Sequence, residues 1–353
     1  MRPSRWDAVL GTLLLLTYFG LVKFHSSSPP QKEETVSSWE TEQAQVKEHL
    51  KSVMTLNREK LKQQIQKDPA LFRQVLWASW GISLGFLFAC VGLVRVCLRI
   101  FSRLPVAPRL GFPPAPSWGF REIFRLVAWI LLLAQGTLLV EWIILRAHSM
   151  KPDRHLLSLG NTLLVDTTAL LGTVALFSRR RGIGFRVPEP WTLARMWRLL
   201  RFGVMSYATF LPLLGILVMM EGTVLEWLRI EPSPQAVFTI FLAEERRPVL
   251  TGLLLLATVA GPVAEEFFFR GVLYGWLRRK VGVVLALGVS AFLFSALHAD
   301  LISFLPILGL GVLFGWLYEQ TGSLVTPVAI HILHNGGMLY LASLTKSILA
   351  LAG

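Results

Sequence analysis

The feature that most constrains this chain is its succession of apolar blocks. Each is close to the ~20 residues that a helix needs to cross a bilayer. They lie at about 9–22, 75–94, 126–145, 157–177, 203–220, 249–276, 281–298, 303–318 and 324–343. The blocks imply an all-α integral membrane protein, a polytopic helix bundle of about 8–9 transmembrane helices. Composition agrees: of 353 residues, 53% are apolar and 16% charged, against about 45–50% and about 25% in soluble domains. That balance excludes a disordered chain and argues against a soluble enzyme. Pro262 stands inside the block at 249–276 and is expected to kink or split it, because proline lacks the N–H that the helix ladder uses.

The net charge of +13 suggests nucleic-acid binding until its distribution is read. Arg95, Arg99, Arg103, Arg109, Arg121 and Arg125 cluster in one loop region. Arg179, Arg180, Arg181, Arg186, Arg195, Arg198 and Arg201 cluster in a second, and Arg278, Arg279 and Lys280 in a third. If the spans alternate, all three fall on the side of Arg2 and Arg5, while the loop 221–247 is net acidic. This is the positive-inside pattern. It places the N-terminus in the cytoplasm, and the protein in the cell membrane if the source is bacterial, with no nucleic-acid partner. The block at 9–22 resembles a signal peptide but lacks a small-x-small cleavage site, so an uncleaved anchor is expected. Residues 25–74 are polar, and Val46, Leu50, Val53, Leu61 and Ile65 space an amphipathic helix over 43–66. The Pro-rich stretch 104–116 reads as a linker. Cys90 and Cys97 share one apolar block, so there is neither a disulfide framework nor a CxxC knuckle. The chain divides into an anchor with a polar segment (1–74), accessory transmembrane helices (75–202) and a membrane core (203–353) with polar motifs at 262–335.

Ionisable residues within apolar blocks each cost about 2.5–3.5 kcal/mol at a helix centre and are functional candidates by default. Glu141 and Asp166 each stand alone in a block, which points to a local hydrogen bond with a neighbouring helix. The last third is denser. One block carries Glu265, Glu266 and Arg270, the next ends in Phe294 and His298, and the last carries His331, His334 and Asn335. Glu266 and Arg270 are spaced i,i+4 and can pair, whereas Glu265 lies about 100° round the helix from Glu266. Helix glue normally uses Ser, Thr or Asn; two glutamates, an arginine and two histidines are a costly substitute.

A buried carboxylate beside an imidazole can take a proton from water. Arg270 would keep Glu266 ionised and leave Glu265 for proton transfer. A histidine and an asparagine on another helix can donate to an oxyanion. Together these suit amide hydrolysis inside a membrane. The same His and Glu residues could hold zinc, which activates water, although no HExxH is present. Ser295 precedes His298 by three residues but has no nucleophile elbow around it.

EExxxR at 265–270, FxxxH at 294–298 and HxxxN at 331–335 together resemble the CPBP intramembrane proteases, also called the Abi family, which include the type II CAAX prenyl endopeptidases. Pro262, Gly271, Gly311-x-x-x-Gly315 and Thr321-Gly322-Ser323-Leu324 extend the resemblance across about 248–340. It implies that residues 203–353 form a catalytic membrane core, in which Glu265 and His298 activate water. His331 and Asn335 would form the oxyanion site, and Glu266 with Arg270 would position the first helix. It implies no obligatory cofactor; a divalent metal such as zinc, held by Glu265, His298 and His331, is the alternative. His334 is not required by the motif and reads as a packing or supporting histidine. The expected substrate is a membrane-embedded or lipid-anchored peptide or protein. A non-enzymatic transporter or scaffold, using the charged cluster for ion passage or helix packing, is the other function class. One geometric difficulty stands out. At about 1.5 Å per residue, His298 lies about 27 Å from Lys280 and His331 about 12 Å from Gly322. The motifs can meet only if the helices are tilted, offset or broken.

Overall fold

The structure is a computed structural model that describes residues 65, 67–102, 110–111, 118–147, 153–179, 192–230, 236–298 and 303–352. The expected anchor at 9–22, nearly all of the expected amphipathic helix at 43–66 and much of the Arg-rich loop sequence lie outside the described residues, as does the side chain of Glu141. The helices are α1 (Pro69–Ser102), α2 (Phe120–Ala147), α3 (Arg154–Arg179), α4 (Leu193–Leu228), α5 (Ala236–Ala243), α6 (Arg247–Leu255), α7 (Gly261–Glu266), α8 (Gly275–Leu297), α9 (Phe304–Thr321) and α10 (Val325–Ala352). Two π segments, Leu256–Ala260 and Phe267–Tyr274, join α6 to α7 and α7 to α8. Among the described residues there is no strand, as expected of an all-α membrane protein. Four helical runs there are long and apolar enough to cross a membrane: Phe120–Val140, His155–Ala175, Leu193–Leu228 and Arg247–Leu297. Their outward faces are apolar, with Trp129, Leu171, Met219 and Val284 more than half exposed, as hydrocarbon contact requires.

In the run from Arg247 to Leu297 the α-helix is split just before Pro262 by the π segment Leu256–Ala260. There the Gly261 N–H reaches back five residues to the Leu256 carbonyl, and the π turn absorbs the rung that proline cannot supply. A second break comes at Gly282, whose φ of 80° and ψ of 174° are non-helical, a conformation that glycine alone adopts cheaply. Everything after it can therefore turn back across the bundle.

α8 then packs along α9, the most extensive helix pair in the fold. Small residues permit the approach. A Cβ on Gly311 would lie 3.0 Å from the Ala291 Cα, and one on Gly315 would lie 2.7 Å from Leu287. α9 ends at Gly322 in the left-handed region, its N–H returning to the Tyr318 carbonyl at 2.8 Å. From the Pro-rich linker, Leu110 and Gly111 donate their N–H groups to the Gln320 carbonyl, so this part of it is tied to the end of α9. The core between α8, α9 and the second π segment contains Phe269, Tyr274, Phe294 and Tyr318. A second cluster of Leu310, Phe314, Leu317 and Ile330 joins α9 to α10.

Candidate active site

The site grows from one buried ion pair. Glu266 is fully buried, and its Oε1 accepts from Arg270 Nη1 and from His331 Nδ1, each at 2.9 Å. Arg270, 1% exposed, spends Nη2 on the Gly311 carbonyl at 3.1 Å and lies over the Phe294 ring at 4.4 Å. The close α8–α9 seam brings that carbonyl and that ring within reach. One guanidinium thus ties the EExxxR segment to α9 and to the Phe of the FxxxH motif. The i,i+4 pairing expected from sequence is present.

Glu265, a third of a turn away, points elsewhere. Its carboxylate enters a cavity of about 610 Å³ that His298, His331, His334 and Asn335 also line. His331 stands between the two glutamates, with Nδ1 on Glu266 and Nε2 3.8 Å from Glu265 Oε2. Its ring stacks on Phe314, with centroids 4.7 Å apart. His298 caps the end of α8, and its Nδ1 lies 2.7 Å from the Phe294 carbonyl. A carbonyl can only accept, so that nitrogen carries a proton, and in the neutral ring Nε2 is left as an acceptor. The three motifs therefore converge. The offset that sequence counting poses is resolved by the break at Gly282, the π turns and the close α8–α9 packing.

Asn335 is held for a reason visible in the chain. The π turn leaves the Ala257 carbonyl without its next rung, because the following donor position is Pro262. Asn335 Nδ2 donates to that carbonyl at 2.9 Å, and its second amide hydrogen is not committed by this bond. Ser295 donates to the Phe304 carbonyl at 2.6 Å, a structural role.

His334 and Asp166 also line the cavity without being motif positions. His334 accepts from or donates to Tyr207 on α4, Nδ1 to hydroxyl, at 2.9 Å. It supports the wall of the site as well as the packing. Asp166 on α3 corrects expectation: among the described residues it makes no local hydrogen bond and instead lines the same cavity as Glu265. No three His, Cys, Asp or Glu side chains among the described residues converge as metal ligands. As arranged in this structure, Glu265, His298 and His331 do not assemble the zinc site of the expected alternative.

Comparison with known proteins places these motifs. Residues 247–337 match the family model of the type II CAAX prenyl endopeptidase Rce1-like proteins. Ninety residues are 36% identical to the membrane-embedded CAAX protease MroQ of Staphylococcus aureus, covering 24% of this chain and 36% of that protein. Eighty-three residues are 30% identical to the putative membrane peptidase YdiL of Bacillus subtilis, covering 24% of this chain and 34% of that one. The alignments thus span about a third of the length of these curated relatives. No solved structure matches the chain significantly. The segment that carries Glu265, His298, His331 and Asn335 is thus similar to the type II CAAX prenyl endopeptidase Rce1-like proteins, in line with the CPBP resemblance of its motifs.

Proposed function

We propose that the protein is an intramembrane endopeptidase that hydrolyses a peptide bond in a membrane-embedded or lipid-anchored protein or peptide. The observation that carries the reading is the convergence of three motifs, distant in sequence, on one cavity around the Glu265 carboxylate. Glu265, with the accepting Nε2 of His298, polarises a water whose oxygen attacks the scissile carbonyl carbon. The π electrons of the carbonyl move onto its oxygen, where the second Nδ2 hydrogen of Asn335 and the Nε2–H of His331, as an imidazolium whose Nδ1–H is held by Glu266, donate to the developing charge. The water proton taken by Glu265 passes to the amide nitrogen as the C–N bond breaks. Glu266 and Arg270 take no part in proton transfer; they fix His331 and the helix that carries Glu265. The arginine-rich loops put the N-terminus on the cytoplasmic side in this reading.

The test compares newly formed protein termini in membranes holding the wild type or Glu265→Ala at equal abundance. Fragments that arise with the wild type and not with the variant are expected, and they would also identify substrates. Identical termini in both membranes would overturn the reading and favour a transport or scaffold role, for which ion flux is the next measurement.

A further inference from the structure

The cavity is too small to enclose a membrane-embedded substrate. An α-helix about 10 Å across rises about 1.5 Å per residue, so about 610 Å³ encloses only about five helical residues. A membrane-spanning segment needs ~20. The rest of it has to pass through the cavity wall, and the way each wall is held decides where. The eight-residue helix α5 supplies Val237, Phe238 and Ile240 to that wall, and its Phe241 packs on Leu253 of α6 and Leu339 of α10. At about 12 Å long, α5 is too short to be stable by itself. Lipid tails are as apolar as leucine, so apolar packing alone does little to keep such a helix against its neighbours in a bilayer. A polar anchor does.

That anchor sits at the C-terminal end of α5. Lys346 of α10 donates to the carbonyls of Phe241, at 3.1 Å, and of Glu244, groups of the kind that a helix end leaves without intrahelical donors. The Glu244 carboxylate bonds His155 of α3 at 2.8 Å and the Arg246 side chain, and His155 itself lines the cavity. Arg246 in turn pairs with Asp153. Arg246 is 48% exposed and Asp153 29%, so this pair can break and exchange its bonds with water at little cost. The Glu266–Arg270 pair, sealed in the core, cannot. We infer that α5 is a substrate gate and that Glu244 and Lys346 form its latch. With the latch made, as in this structure, α5 closes one side of the cavity. With it released, α5 leaves α10 and that side opens to a membrane-embedded segment. The identity of what is admitted rests on the hydrolase reading above.

The test has two arms, both on the full-length chain in membranes, with Cys90→Ala and Cys97→Ala as background. In the first, Val237→Cys reports on the cavity side of α5. Its rate of labelling by a membrane-permeant maleimide is compared with and without Lys346→Met. Loss of the Lys346 bonds is expected to raise that rate by about tenfold; an unchanged rate would overturn the inference. In the second arm, Glu244→Cys and His155→Cys are joined by a short thiol crosslinker with a cleavable centre. Hydrolysis is measured at a bond cut in wild-type but not Glu265→Ala membranes. The link is expected to lower hydrolysis by at least about tenfold, with recovery once it is cut, and recovery shows that the fold is intact. Hydrolysis by the linked protein at the unlinked rate would overturn the inference and leave the hydrolase reading standing. If wild-type and Glu265→Ala membranes hold the same termini, the hydrolase reading fails, and α5 then has no substrate to admit even where its labelling rate rises.

Discussion

Glu265 and Glu266 are adjacent in the chain and differ in every contact they make. Glu266 is sealed against Arg270 and His331, whereas Glu265 opens to the cavity. Substitutions should therefore fail in different ways. Arg270→Ala leaves a buried carboxylate without its cation, which costs about 3–5 kcal/mol. It should lower abundance or thermal stability in membranes, and normal levels would contradict the pairing. Glu265→Ala and His298→Ala should instead accumulate normally and lose cleavage. Asn335→Ala should slow cleavage by about 10²–10³-fold as an oxyanion donor is lost; an unchanged rate would reduce Asn335 to a cap for Ala257. At this scale the motif residues were legible in the sequence, because i,i+4 spacing and misplaced charge expose them. Asp166 was not. It is alone on its helix, and its neighbour Glu265 is distant in the chain, so no local pattern signals the juxtaposition.

The elements show the limits of hydropathy more plainly. Blocks of apolar residues marked the helices, but α4 runs from Leu193 to Leu228, well past the block at 203–220, because its ends are polar yet still helical. The short helix α5 was missed within a stretch read as loop. Pro262 points to a kink or split, and the π segment before it supplies the split, but a second break falls at Gly282. Nothing local separates a glycine that must take positive φ from one that merely packs closely. The Gly311–Gly315 seam illustrates the second kind. Gly311→Val would drive side-chain atoms into the backbone of α8 at Ala291, at a cost of about 1–3 kcal/mol. It would also part the helix carrying His298 from its partner. Reduced thermal stability together with reduced cleavage is expected; wild-type values for both would show that the seam tolerates separation.

Across the whole molecule, a polar cluster ties three segments together. Glu244 is buried and accepts from the Arg246 side chain and from its backbone N–H, and it bonds His155 at 2.8 Å. Arg246 also pairs with Asp153, and Lys346 of α10 donates to the carbonyls of Phe241 and Glu244. The Arg246 hydrogen bond holds the Asp153 carboxyl down at about 2 and is the leading cause of a still larger depression at Glu244. Carboxyls depressed in the folded protein add stability that is complete above their ordinary range, near pH 4, and is lost as the pH falls through the folded value. Protection of residues 236–246 against proteolysis should therefore hold from pH 7 to about pH 4 and fall toward about pH 2. Loosening already near pH 5–6 would show that these carboxylates are not what closes this end.

The central claim is that Glu265 and His298, brought by different helices, act on one water. The most direct measurement is a double-mutant cycle on cleavage of an identified peptide bond, comparing wild type, Glu265→Gln, His298→Ala and the combined variant at matched abundance. Each single change should lower turnover by at least about 10²-fold, and the combined variant should be little slower than either, as expected of groups that work as a unit. Losses that multiply independently, or a single variant that retains wild-type turnover, would contradict the account.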